Sequence, residues 1–212
     1  MRAKSTSAVI DYGAGNLRSV ARALEAAGAG TVVITADPLQ IAQADRLVLP
    51  GQGAFDQCIG GLRAQSGVVT ALEDAVLRRG MPFLGICVGM QLLASRGLEH
   101  GETPGLGWIA GDCAPLPPAP GARIPHMGWN EVRVGTDHPV LAPLAPAQHM
   151  YFAHSFALFP SEPRATLAET THGSPFPAAV GKANIVGVQF HPEKSQATGL
   201  ALLAAFLAWK PS

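Results

Sequence analysis

The sequence predicts an α/β fold, a mostly parallel twisted sheet flanked by helices and carrying a β-rich insert, on three observations. Up to Ser95, short apolar runs alternate with longer segments of helical spacing, the rhythm of β-α-β units. Several of the runs end in glycine-rich turns, as strands do when they hand over to a helix. After Ser95 the rhythm breaks into a Gly- and Pro-rich stretch before strands and a last helix resume.

In chain order, "SAVIDY" reads as the first strand and "GNLRSVARALEAAG" as the first helix. Asn16 stands at the N-cap, Leu17, Val20, Ala21 and Leu24 recur at helical spacing, and Gly28 ends the helix. "GTVVIT" and "ADRLVLP" follow as strands, the second running into "GQGAF". "GGLRAQSGVVTALEDAVLRRG" is expected to form one helix ending at Gly80, delivering the chain to the buried strand "MPFLGI". From residue 96 to about residue 134 we expect antiparallel hairpins and loops, with "CAPLPPAPGAR" an exposed proline-rich loop rather than a linker between cores. "HMYFAHSFALF", "ATLAET", "PAAVGK" and "IVGVQF" continue the β-rich part, and "ATGLALLAAFLAWK" closes the chain as a helix. At 212 residues with no internal repeat, residues 1–212 are expected to form a single domain.

Composition narrows the function. Fifteen basic residues balance fifteen acidic ones, so no polyanion-binding surface is suggested and nucleic acid is not an expected partner. The chain is 48% hydrophobic, yet no apolar run approaches the roughly 20 residues needed to span a bilayer, so no membrane partner is expected. The basic start "MRAK" is followed by too short an apolar run for a secretory signal, and a cytoplasmic location is the expectation. Cys58, Cys87 and Cys113 are odd in number and form no C-x-x-C pair, which argues against a disulfide framework or a cysteine-rich zinc site. The other histidines besides His191 show no metal-ligand spacing, so neither a metal nor a cofactor is expected.

One cysteine is oddly placed. Gly85-Ile86-Cys87-Val88-Gly89 has the form G-x-C-x-G between a strand and a helix, the thiol counterpart of a nucleophile elbow. Small flanking residues tolerate a strained turn, and the helix start favours the thiolate, which is the attacking species. Cys87 is therefore expected to be an exposed nucleophile, with the Val88 N–H able to donate to an oxyanion. Cys58 and Cys113 read as small core residues. Acyl transfer by a thiolate needs a proton carrier, and "IVGVQFHPEKS" puts His191 at a strand end with Glu193 two residues on to orient it. In a parallel sheet both strand ends open on one crevice. Gly51-Gln52-Gly53 also follow a strand and can turn backbone N–H groups to an anion, but the loop lacks a G-K-[ST] ending and "DYGAGN" lacks the third glycine of a dinucleotide fingerprint.

With these residues in view, "PFLGICVGMQLL" and "VGVQFHPEKS" together resemble the class I, or triad, glutamine amidotransferases. "IDYGAGNLRSV", "LPGQGAF", "GLGWIAG", "PHMGWNEV", "YFAHSF" and "HPEKSQATGLALL", in that order, are similar to the glutaminase subunits of imidazole glycerol phosphate synthase. The resemblance implies a flavodoxin-like domain with Cys87 as nucleophile, His191 as general base and acid, and Glu193 as its orienting carboxylate. It further implies an oxyanion hole from the backbone of Gly51, Gln52, Gly53 and Val88, and a glutamine pocket bordered by Gln91, His154, Ser155 and Phe156. The implied partner is a separate (β/α)8-barrel cyclase in a heterodimer, with Asn16, Trp129 and Lys194 near it; ammonia from glutamine would pass to that barrel in histidine biosynthesis. Two positions depart from the family pattern: Gln52 stands where a small aliphatic residue is usual, and Phe156 where tyrosine is common. Related glutaminase subunits for anthranilate, aminodeoxychorismate or purine synthesis stay open as alternatives. So do a non-catalytic regulatory subunit of the same fold and a stand-alone cysteine hydrolase.

Overall fold

The computed structural model describes residues 5–211; the basic start at residues 1–4, on which part of the argument about a signal rests, lies outside the described residues. Strand β1 (Thr6–Ile10) is followed by helix α1 (Leu17–Ala26), strand β2 (Thr31–Thr35), helix α2 (Pro38–Gln43) and strand β3 (Arg46–Gly51). Helices α3 (Phe55–Ala64) and α4 (Val68–Glu73) lead through a π-helical turn, Asp74–Arg78, to strand β4 (Phe83–Cys87) and the single turn α5 (Val88–Gln91). Four short or medium strands follow: β5 (Arg96–Gly97), β6 (Thr103–Pro104), β7 (Gly111–Pro115) and β8 (His126–Val134). Strands β9 (Ala147–His154), β10 (Phe156–Pro160), β11 (Thr166–His172), β12 (Ser174–Lys182) and β13 (Ile185–Val188) precede a 3-10 turn, Pro192–Lys194, and helix α6 (Gln196–Ala208).

Nine strands form one sheet in the order β2-β1-β3-β4-β13-β12-β11-β8-β9. The half from β2 to β13 is parallel, and its inner strands β3, β4 and β13 are almost wholly buried, as strands covered on both faces must be. The other half is antiparallel and consists mainly of the β-rich insert, which extends the main sheet instead of standing off it. A second sheet, β10-β7-β5-β6, is carried beside it. The proline-rich loop starts later than expected: residues 113–115 complete β7 with Cys113 buried, Leu116 is buried after it, and only from residue 117 is the stretch before β8 largely exposed.

Two expectations about helices change. The segment expected to be one helix up to Gly80 is broken after Ala64, where Gly67 turns left-handed at φ +76° and restarts the chain as α4. The left-handed turn lets Val68 and Leu72 bury on a new phase that one continuous helix would not give them. Asn16 does occupy the N-cap of α1, but its side chain makes no capping bond. Gly28 behaves as read, in the left-handed region just past the helix.

Candidate active site

β4 carries its last residue, Cys87, to the C-terminal edge of the parallel sheet, between the ends of β3 and β13. Cys87 has φ +55° and ψ −114°, a conformation that costs a non-glycine residue roughly 1–3 kcal/mol and persists only where its surroundings enforce it. Three glycines enforce it. Gly51 lies opposite Cys87 in the ladder, and a Cβ there would come 2.6 Å from the Gly89 nitrogen. A Cβ on Gly89 would collide with the Leu49 carbonyl, and one on Gly85 would sit 2.6 Å from the Gly89 carbonyl oxygen. The elbow closes only because all three positions lack side chains.

The expectation that Cys87 is exposed is corrected, since the residue is only 4% accessible. Segments far away in the chain stand around the elbow, among them the β9–β10 corner and the residues after β13, and the local motif does not specify their placement. The helix start behind Cys87 is also slight, a single turn.

His191 stands three residues past the end of β13. Its backbone N–H donates to the Tyr151 carbonyl (2.9 Å) and its own carbonyl accepts from the Ser195 hydroxyl (2.6 Å), so the main chain is held on both sides. Its Nδ1 lies 2.8 Å from Glu193 Oε1, and the Glu193 side chain is 1% exposed. The second carboxylate oxygen, Oε2, is buried without a hydrogen-bond partner, so the imidazole is the group that answers this charge. Burial works to lower the His191 pKa, but the Cys87 sulfur and the Glu193 carboxylate outweigh it and raise the pKa to about 9. With Nδ1–H committed to Glu193, Nε2 is the nitrogen left for the sulfur.

Cys87 and His191 border a cavity of about 340 Å3. Of the residues expected at the site, Gln52, Gly53, Val88, Gln91, His154, Ser155 and Phe156 line it, and so does Lys194, expected at the partner surface. Gly51 and Glu193 stand behind the lining, under Cys87 and His191 respectively. The Gln52 carbonyl accepts from the Cys58 thiol at 3.5 Å, and burial pushes the Cys58 thiol pKa up. Asn16 and Trp129 are not among the lining residues; Trp129 is 48% exposed on β8, edge-on to Tyr151, over whose ring the Lys194 ammonium sits at 5.8 Å.

The sequence reading missed four lining residues, Glu99, Pro125, Met127 and Ala153. Glu99 is the only carboxylate among the residues lining this cavity, anchored where its Oε2 accepts from the Phe55 N–H at 2.7 Å. It also missed a buried histidine pair: His154 Nδ1 donates to the Phe156 carbonyl (2.8 Å), while His154 Nε2 lies 3.0 Å from His126 Nδ1. Burial first, and the neighbouring His172 imidazole second, lowers His126 to about 4. Burial also lowers His154 to about 3, against the opposing pull of the Phe156 carbonyl. Among the described residues, no group of three or more His, Cys, Asp and Glu side chains is arranged to hold a metal ion, and no helix is long and apolar enough to cross a membrane.

Residues 8–208 match the family model "Glutamine amidotransferase class-I". The chain is 55% identical over 214 residues to "Imidazole glycerol phosphate synthase subunit HisH" of Zymomonas mobilis, covering 99% of each chain. It is also 55% identical over 212 residues to the subunit of that name from Caulobacter vibrioides, covering 97% of this chain and 99% of the relative. Among solved structures, one titled "Structure of PurLQS from Thermotoga maritima" superposes with a TM-score of 0.73 at 20% identity over 97% of this chain and 98% of that one. That likeness speaks for the fold.

Proposed function

Since the chain belongs to the class-I glutamine amidotransferase family and, within it, to the HisH glutaminase subunits of imidazole glycerol phosphate synthase in histidine biosynthesis, we propose that its reaction runs through Cys87, His191 and Glu193. The observation that carries this reading is a cysteine held on a strained elbow beside an imidazole, both at the wall of one cavity, with a buried carboxylate behind the wall that orients the imidazole at 2.8 Å.

The Cys87 thiolate attacks the carboxamide carbon of glutamine, forming a C–S bond and moving the carbonyl electron pair onto oxygen. Backbone N–H groups of Val88 and of the loop at Gly51, Gln52 and Gly53 receive that oxyanion. Collapse breaks the C–N bond, and the nitrogen takes the Nε2 proton of His191 and leaves as ammonia. Water then attacks the thioester and gives a proton back to His191; collapse breaks the C–S bond and releases glutamate and the thiolate. Glu193 keeps Nδ1 protonated throughout, so the exchangeable proton is always the one facing sulfur and substrate.

The cavity suits this substrate. Gln91, His154, Ser155 and Phe156 form its glutamine-binding wall, and the Glu99 carboxylate supplies the charge that an α-ammonium group requires. The ammonia goes to a separate (β/α)8-barrel cyclase that forms imidazole glycerol phosphate and aminoimidazole carboxamide ribonucleotide, the two chains making a heterodimer. Asn16, Trp129 and Lys194 belong to that interface. The exposed apolar side chains of Met127 and Trp129, two residues apart on β8 with Met127 at the cavity, support a partner at this mouth.

The test is Cys87→Ala in the reconstituted complex. Glutamine-dependent product formation is expected to be abolished while ammonia-dependent formation persists, because only the nitrogen source is removed. Glutamine turnover by the variant at the parent rate would refute the nucleophile. Affinity capture from the chain's own lysate tests the partner: recovery of a (β/α)8 cyclase is the expected result, and recovery of an anthranilate or purine enzyme instead would overturn the assignment.

A further inference from the structure

Gln189 is fully buried, has no part in the mechanism above, and holds its Nε2 3.7 Å from Cys87 Sγ. Which end of its amide faces the sulfur decides what it can do, and the neighbours determine that end. The Phe156 carbonyl can only accept. Gln91 approaches it at 2.8 Å and must therefore present Nε2, since two oxygens at that distance would repel. The same Nε2 lies 3.1 Å from the Gln189 side chain, which must present its oxygen there. The NH2 end of Gln189 is left to point at the sulfur.

The same carbonyl orders the chain in the other direction. Its second lone pair takes the Nδ1–H of His154, so His154 Nε2 is an acceptor and His126 Nδ1 is its donor. His126 Nε2 is then an acceptor for Asn130 Nδ2 at 3.1 Å. Asn130 is oriented independently, because its Oδ1 accepts from the Glu131 N–H (2.8 Å) while Nδ2 also donates to the Thr171 carbonyl (2.9 Å). Both ends of the network thus impose one consistent set of directions, and its last member is a donor aimed at the nucleophile.

We propose that Gln189 is a further catalytic residue, an amide N–H donor that stabilises the Cys87 thiolate, with Gln91 as the positioning residue that keeps the donor end turned to sulfur. The inference rests on the reading of Cys87 as nucleophile. A donor to sulfur acts twice in that reaction. It raises the fraction of thiolate available for attack, and it stabilises the thiolate again as the leaving group when the thioester is hydrolysed.

The test is the rate of Cys87 alkylation by iodoacetamide from about pH 5 to about pH 10, read by peptide mass spectrometry so that Cys58 and Cys113 are followed separately. The parent is compared with Gln189→Met and Gln91→Met, each checked for native circular dichroism. Gln189→Met keeps the shape of the side chain and removes the donor; it is expected to move the midpoint of the Cys87 profile up by about one pH unit, a roughly tenfold slower reaction below it. Gln91→Met frees the Gln189 amide to turn and is expected to shift the midpoint the same way by less. A folded Gln189→Met protein with the parent's profile overturns the proposal. If that variant does not fold, an unchanged midpoint in Gln91→Met overturns it instead. A parent in which Cys87 reacts no faster than Cys58 and Cys113 at neutral pH would sink the nucleophile reading itself, an outcome distinct from a reactive parent with unmoved variants.

Discussion

Replacing His126 by phenylalanine should change the way this protein unfolds in acid, and the size of the change follows from the buried histidine pair. His126 and His154 are both held neutral: each nitrogen is already assigned as donor or acceptor, and burial lowers their pKa values to about 4 and about 3. Unfolded histidines titrate near 6.5, so below that pH the unfolded chain binds protons that the native chain refuses. The stability that depends on these two groups is therefore fully present above about pH 6.5, falls progressively as the pH drops below it, and is wholly lost once the pH has passed about 4 for His126 and about 3 for His154. At a pH of about 4.5 each neutral histidine withholds about two pH units of proton binding, about 2–3 kcal/mol, so the pair together costs the parent about 5 kcal/mol. Phenylalanine keeps a ring among Phe152 (4.7 Å), His172 (4.3 Å) and Phe176 (5.7 Å), and leaves His154 Nε2 without its donor. At neutral pH that orphaned nitrogen should make the variant about 1–3 kcal/mol less stable than the parent. In acid the variant has one fewer reluctant histidine, and its deficit should shrink by about 2–3 kcal/mol or disappear. Urea unfolding followed by the fluorescence of the three tryptophans, at neutral pH and near pH 4.5, measures both differences, and carboxylates common to the two proteins cancel. An equal deficit at both pH values would refute the reasoning, because the histidine could not then be held neutral by the network.

The proton relay makes a second pH prediction. His191 must be protonated to release ammonia, so glutamine turnover should decline as the pH rises through about 9, and Glu193→Gln should move that alkaline limb toward neutrality by removing a charge that raises the pKa. A pH–rate profile of the complex checks this, and an unmoved limb in the variant would count against Glu193 as the orienting group. Gly89→Ala tests the packing of the elbow. Its Cβ has no room beside the Leu49 carbonyl, so the end of β3 must give way; a loss of about 2–3 kcal/mol is expected, a fall in Tm of roughly 4–12 °C. A variant with the parent's Tm in a thermal melt would show that the strands are not held so closely.

The parallel half of the sheet was legible because its signals are local. An apolar run ending at Gly51 or Cys87, followed by glycine and then helical spacing, carries strand, turn and helix within about a dozen residues, and β4 and β13 then need only pair to bring both functional strand ends together. The break at Gly67 was not legible for an equally physical reason: Gly60, Gly61 and Gly67 all fall in a stretch whose apolar spacing is helical on either side, and only the packed structure decides which glycine turns left-handed. Nor does any short-range pattern join the antiparallel insert to the main sheet, since β8 and β11 meet across more than thirty intervening residues.

The burial of Cys87 escaped the sequence reading for the same reason, but a signal for its surroundings was present. Gln189 stands between Val188 and Phe190 in the apolar run "IVGVQF", and Gln91 follows Met90 in "GMQLL". An amide in such a place is expensive to bury alone, about 1–3 kcal/mol for each unpaired group in proteins, so the sequence itself demands that each find a polar partner in the core. They find each other across 98 positions of chain, and Gln91 reaches the Phe156 carbonyl across 65. Two polar residues set singly into apolar runs, each beside a motif that carries chemistry, therefore mark the inner wall of a site before any distance is known. Reading them as a pair, and not as one pocket residue and one strand residue, is what points the Gln189 donor at the sulfur.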